Sequence, residues 1–184
     1  ALQEATQQHL SVKDRLIMSY HAYQDNEILD VMKDDVNNIL QTLENTDIEK
    51  VKKICAEIIS AKHIFIISCR SAASLGTFFW YYLNMILDNV TLITSLSDDI
   101  ERLESVTSED LFIGLSFERY SKATYQMMKF AKEKGCKTIS ITDTLLSPLI
   151  PWSDDYLLSC TKMPTFLDSF VAPLSIINML ITYI

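Results

Sequence analysis

Glycine, proline and positive charge are scarce in this chain. Only three of its 184 residues are glycine and four are proline, and 16 Lys and Arg face 24 Asp and Glu, a net charge of −8. Gripping nucleic acid requires a basic face that releases counterions, and nothing here supplies one. Residues 1–50 carry ten carboxylates against Lys13, Arg15, Lys33 and Lys50, and no recognition helix is visible. The four cysteines, Cys55, Cys69, Cys136 and Cys160, lie far apart in apolar surroundings. They fit neither zinc ligation nor a disulfide framework and lead to the expectation of a reducing, cytoplasmic location. His9 and His21 have no metal-ligand spacing, so no metal or cofactor is expected. The start has neither a basic lead nor an apolar run, which excludes a signal peptide at this point, and it has no Met. The chain therefore reads as part of a longer protein. Residues 166–184 are apolar, yet Asp168, Ser169, Pro173, Ser175 and Asn178 interrupt them without basic flanks. That pattern suits a buried helix better than a membrane span. There is no internal repeat or low-complexity segment.

At this length one domain with a sizeable core is expected, plus an appended element. Ile28, Val31, Met32, Val36, Ile39, Leu40 and Leu43 form a helical apolar stripe over 27–43, a helix that needs a partner. Thr46 and Glu49 have the spacing of a capping box before a second helix with Ile48, Val51, Ile54, Cys55, Ile58 and Ile59 on one side. Then the period changes. Apolar runs at 63–67 and 111–115, with the segments 90–93, 137–142 and 155–158, predict five strands. Between them come an apolar helix to about Leu87, a short helix over 98–105 and a helix from Ser121 to Lys134 ended by Gly135. A last helix closes the chain. This alternation predicts an α/β fold, a five-stranded parallel sheet with helices on both faces and linker helices at the front.

In such sheets ligands sit beyond the carboxyl ends of the strands, where the loops 68–71, 116–121 and 142–147 converge. The second of these, Ser116-Phe117-Glu118-Arg119-Tyr120-Ser121, follows a buried strand and opens an amphipathic helix. Unpaired amides at a helix start, the helix dipole and a planar guanidinium together suit a phosphate. Candidate ligand residues are Arg70, Ser71, Ser116, Arg119, Tyr120 and Ser121. Blander readings stand beside them: Ser116 as a turn residue, Ser121 as an N-cap, Tyr120 as packing, Arg70 as a partner of Asp143 or Asp98. Asp143 reads as orienting its own loop, His63 as a satisfied structural histidine, and Met127 and Met128 as core.

The loop 116–121 resembles the Ser-Phe-x-Arg-Tyr-Ser loop found in the effector domain of RpiR-family bacterial transcription regulators, a sugar isomerase (SIS) domain. Ile139-Ser140-Ile141-Thr142-Asp143 with Ser147-Pro148-Leu149, and the pair Arg70-Ser71, resemble the same subgroup. The resemblance covers roughly residues 27–184. It implies a flavodoxin-like three-layer SIS domain, with residues 1–26 as the connector from a helix-turn-helix domain absent from this chain. It further implies a phosphorylated sugar or similar small anion as ligand, DNA contact only through that other domain, no membrane, and a homodimer. The helix over 72–87, with Phe78, Phe79, Trp80, Tyr81, Tyr82 and Met85, is the candidate dimer contact. Three positions depart from the pattern: Ser68 where glycine is usual, Cys69 at a small flexible position, and Glu118 beside the expected anion. They suggest obstructed backbone approach and a carboxylate close to the phosphate. No acid/base pair is evident, so no catalytic residue is assigned and a non-enzymatic sensor is expected. The alternatives are a phosphosugar isomerase and a ligand-free dimerisation module.

Overall fold

The structure, a computed structural model, describes residues 14, 16, 17, 29–95, 103, 105–164 and 167–184. Five short strands make one sheet: β1 (Ile64–Ser68), β2 (Val90–Ile93), β3 (Leu111–Leu115), β4 (Lys137–Thr142) and β5 (Asp155–Leu158). Their order is β2-β1-β3-β4-β5, and every pairing is parallel. Every residue of β1 and β3 is buried, which is why both read as continuous apolar runs rather than alternating ones.

The helices are α1 (Asp30–Glu44), α2 (Ile48–Ser60), α3 (Ala73–Ile86), α4 (Lys122–Glu133) and α5 (Val171–Tyr183). Side chains alternate across the sheet, so Ile64 and Ile66 face one core while Phe65 and Ile67 face the other. The first core is closed by α2, α3 and α5, through residues such as Ile54, Phe79 and Ile177. The second is closed by α4 through Met127, Met128 and Ala131. The expected five-stranded parallel sheet with helices on both faces is present. So is the terminator at Gly135, whose φ of +80° lies in the left-handed region that glycine tolerates best.

Three local expectations need correction. The capping box at Thr46 and Glu49 is absent: Asp47 caps α2, accepting from the amides of Glu49 (2.9 Å) and Lys50 (3.3 Å), while Thr46 donates to the Thr42 carbonyl. A carboxylate one residue nearer the helix displaced the hydroxyl. In α2, Ile48 and Ile59 are exposed, so its buried face is narrower than its apolar one. In α1 much of the expected stripe faces outward: Met32, Val36, Leu40 and Leu43 are exposed, Val31 and Ile39 are half-buried, and Asn38 and Thr42 are buried. Those polar side chains reach the connection between β5 and α5. Asn38 Nδ2 donates to the Lys162 carbonyl (2.7 Å) and the Cys160 amide donates to Thr42 Oγ1 (2.9 Å). The short helix expected over 98–105 falls almost entirely outside the described residues, where only Leu103 and Ser105 remain. Among the described residues no helix is long and apolar enough to cross a membrane.

At the far edge Asp155 accepts from Lys53 (2.8 Å) and is joined by Lys137 (3.2 Å), tying β5 to α2 and β4. Nearer the site, α3 crosses β1 at Gly76, where a Cβ would stand 2.4 Å from that of Ser68. Gly76→Ala is therefore expected to destabilise the fold by about 1–3 kcal/mol, because Ser68 is fully buried and has nowhere to retreat. Urea unfolding of the variant measures this, and an unchanged midpoint would contradict the packing.

Candidate anion-binding site

After β1 the chain enters α3 on one face of the sheet, and after β3 it enters α4 on the other. Because β1 and β3 are neighbours, their carboxyl ends diverge and leave a crevice, the switch point at which open parallel sheets take ligands. Both loops turn there through the left-handed backbone region: Arg70 at φ 62° and Arg119 at φ 64°. Each such residue costs of order 1–2 kcal/mol, so surrounding structure must hold it.

The holding groups are identifiable. Ser68 Oγ donates to the Ala72 carbonyl (2.6 Å), folding the single 3-10 turn Arg70–Ala72 back over the strand end. Its side chain thus points into the core, in space left by Gly76. The expected obstruction from Ser68 is not found, while Cys69 does line the crevice. In the second loop Ser116 Oγ accepts from the Ser121 amide (3.0 Å), and Ser121 Oγ accepts from the Thr124 amide (3.3 Å). Ser121 is therefore the N-cap of α4, and the amides of Lys122 and Ala123 are left without intrahelical acceptors.

Asp143, directly after β4, braces this loop as well as its own, where Thr142 Oγ1 donates to its Oδ1 (3.2 Å). Its Oδ2 accepts from the Glu118 amide (3.1 Å) and its Oδ1 from the Tyr120 hydroxyl (2.8 Å). Burial pushes the Asp143 carboxyl above the usual carboxylate range, against the pull of the Tyr120 and Thr142 hydroxyls and the Glu118 amide. Burial, and then the Asp143 charge, push the Tyr120 phenol far above its ordinary value, so it stays protonated as a donor. Tyr120 serves the brace and is not among the groups lining the crevice.

The crevice has a volume of about 160 Å³ and is lined by Cys69, Arg70, Ser71, Ala72, Ser116, Phe117, Glu118, Arg119 and Ser121. Five of the six candidate residues meet there; Tyr120 is the exception. Among the described residues Arg70 forms no ion pair; Asp143 bonds to Glu118 and Tyr120 instead, and the other expected partner, Asp98, lies outside the described residues. Arg119 Nη2 donates to Asp168 Oδ2 (2.7 Å). Arg70, the outer part of Arg119, the Ser71 and Ser116 hydroxyls and the start of α4 are donors suited to one anionic group. Glu118 is the carboxylate on the rim, and it does not pair with Arg119. No group of three metal-ligating side chains occurs among the described residues.

A larger hollow of about 460 Å³ lies at the opposite ends of the strands, around Lys62, His63 and Asp110. Its polar groups are matched within the protein: Lys62 with Glu109 (2.9 Å), His63 Nε2 with Thr91 Oγ1 (2.8 Å), and Asp110 with the Thr107 amide (2.6 Å). The structural role expected of His63 fits this pairing.

Sequence reasoning missed two residues. Asp168 registered only as an interruption of an apolar stretch, and Asp143 only as a loop orienter. The available signal for Asp168 was that same isolation, since a lone carboxylate in an apolar run needs a partner when buried.

The SIS domain family model matches residues 57–183. The sugar isomerase domain of an RpiR transcription factor from Sphaerobacter thermophilus superposes with a TM-score of 0.81 at 26% identity, covering 85% of this chain and 88% of that one. The NanR protein of Vibrio vulnificus, solved with ManNAc-6P, gives a TM-score of 0.74 at 19% identity over 86% of this chain and 62% of that one. An HTH-type transcriptional regulator of Clostridium perfringens is 25% identical over 162 residues, 85% of this chain and 57% of the relative. The chain thus spans little more than half the length of that regulator.

The left-handed backbone at Arg119 separates strain from side-chain loss. Arg119→Gly and Arg119→Ala both remove the guanidinium, but only glycine relieves the φ of 64°. Arg119→Gly is expected to be the more stable by roughly 0.5–1 kcal/mol in urea unfolding. A more stable alanine variant would contradict this backbone geometry.

Proposed function

This chain belongs to the SIS domain family, and on that premise we propose that it is the effector-sensing part of a transcriptional regulator, taking a phosphorylated sugar or related metabolite in the crevice between β1 and β3. The observation that carries the reading is the pair of arginine loops at the switch point, held in left-handed backbone beside the capped start of α4. The phosphate sits against Arg70, Ser71, Ser116, Arg119 and Ser121, and the sugar extends out of the crevice. A volume of about 160 Å³ is smaller than the ~300 Å³ at which ligand pockets begin, so it suits the anionic end of such a molecule rather than the whole. The likeness to an RpiR sugar isomerase domain and to an HTH-type transcriptional regulator supports sensing over catalysis.

On this reading DNA is contacted by a part of the protein outside this chain, in keeping with the net charge of −8. Two copies pair through the outer face of α3, where Tyr81, Tyr82, Met85 and Ile86 are exposed on an otherwise apolar helix.

A thermal-shift screen against phosphorylated sugars and amino sugars tests the reading. A compound at 100 times its dissociation constant adds about 2.7 kcal/mol, which for a domain of this size raises Tm by roughly 5–10 °C. The rise is expected to disappear in Arg119→Ala. A blank across the set, or a rise untouched by that substitution, would contradict the assignment.

A further inference from the structure

We propose that Asp168 is the positioning residue for Arg119, and that the connection carrying it ties the anion crevice to α1. The proposal rests on the anion-binding reading of the crevice. The Arg119–Asp168 pair is asymmetric: the aspartate side chain is 7% exposed and the arginine side chain 36%. A fixed, buried carboxylate holds a guanidinium that reaches the surface. The contact uses one Nη2 donor (2.7 Å) out of the five N–H groups of the fork, so the pairing aims the guanidinium without consuming it. Since Arg119 starts from a strained backbone, this side-chain anchor is what gives it one orientation.

The residue after Asp168 faces the other way. Ser169 Oγ donates to Asp35 Oδ1 (2.5 Å) on α1, and the Ser169 amide donates to the Thr161 carbonyl (3.1 Å), closing the connection on itself. Asn38 and Thr42, the buried polar side chains of α1, bond to Lys162 and Cys160 on the same connection. α1 packs along α5 and is in addition hydrogen-bonded to the segment that holds Arg119, while several of its apolar side chains point outward. Order imposed on Arg119 by an anion passes through Asp168 and Ser169 to Asp35, and by linkage a looser α1 weakens anion binding in return.

The test compares the chain with Asp168→Asn and Asp35→Asn, using inorganic phosphate as the probe and amide hydrogen exchange as a second readout. Asp168→Asn is expected to weaken phosphate binding at least fivefold. Without phosphate it should speed exchange over residues 30–44 severalfold while β1 and β3 stay protected, which also shows that the variant is folded. Asp35→Asn, outside the crevice lining, should weaken phosphate binding twofold or more. Undiminished affinity in Asp168→Asn overturns the positioning role, and unchanged exchange in α1 overturns the link. If the unmodified chain binds no phosphate, the anion-binding reading itself falls and takes the positioning role with it, whereas faster α1 exchange in Asp168→Asn would still uphold the link.

Discussion

The constraint on which the rest of this structure depends is that β1 and β3 are parallel neighbours whose following helices leave on opposite faces. Parallel pairing places both carboxyl ends at one edge of the sheet, and the opposite exits force the chain apart there. Burial on both faces makes the two strands apolar throughout. The close crossing of α3 at Gly76 lets Ser68 turn inward and leave the crevice open. A glycine missing from the loop is thus compensated by a glycine on the helix opposite.

What the crevice offers is preorganisation. Two arginines stand on left-handed backbone, one hydroxyl spans the loop from Ser116 to Ser121, and a second caps α4. Asp143 braces the loop from below, and Asp168 anchors its arginine from the side. Neither aspartate is among the groups lining the crevice, and both hold donors that are or that adjoin its lining. Donors fixed before binding meet a charge without reordering, which is how a cleft of modest size gains selectivity for an anion.

β1 and β3 were legible because burial on two faces leaves a continuous apolar run, whereas β4 and β5 lie where expected although Lys137, Thr138, Ser140, Thr142 and Asp155 interrupt their apolar residues. The helix start at Ser121 and its stop at Gly135 were legible because caps are local chemistry. Five of six candidate residues gather at the crevice for the same reason, each lying within a few residues of a strand end. What stayed hidden is long-range. The outward apolar face of α1 follows from hydrogen bonds to residues more than a hundred positions away. The role of Tyr120 depends on Asp143 across the loop gap, and the partner of Arg119 lies 49 residues on. Periodicity shows which face of a helix is apolar, but it does not tell which face the tertiary structure covers.

The most direct test of an anion site between β1 and β3 is to follow backbone and arginine side-chain N–H signals by NMR during titration with inorganic phosphate, against chloride at matched ionic strength. The largest shifts are expected at Ser71, Ser121, Lys122 and Ala123 and at the side chains of Arg70 and Arg119. Shifts no larger than with chloride, or shifts centred on Lys62 and His63 at the other end of the sheet, would contradict it.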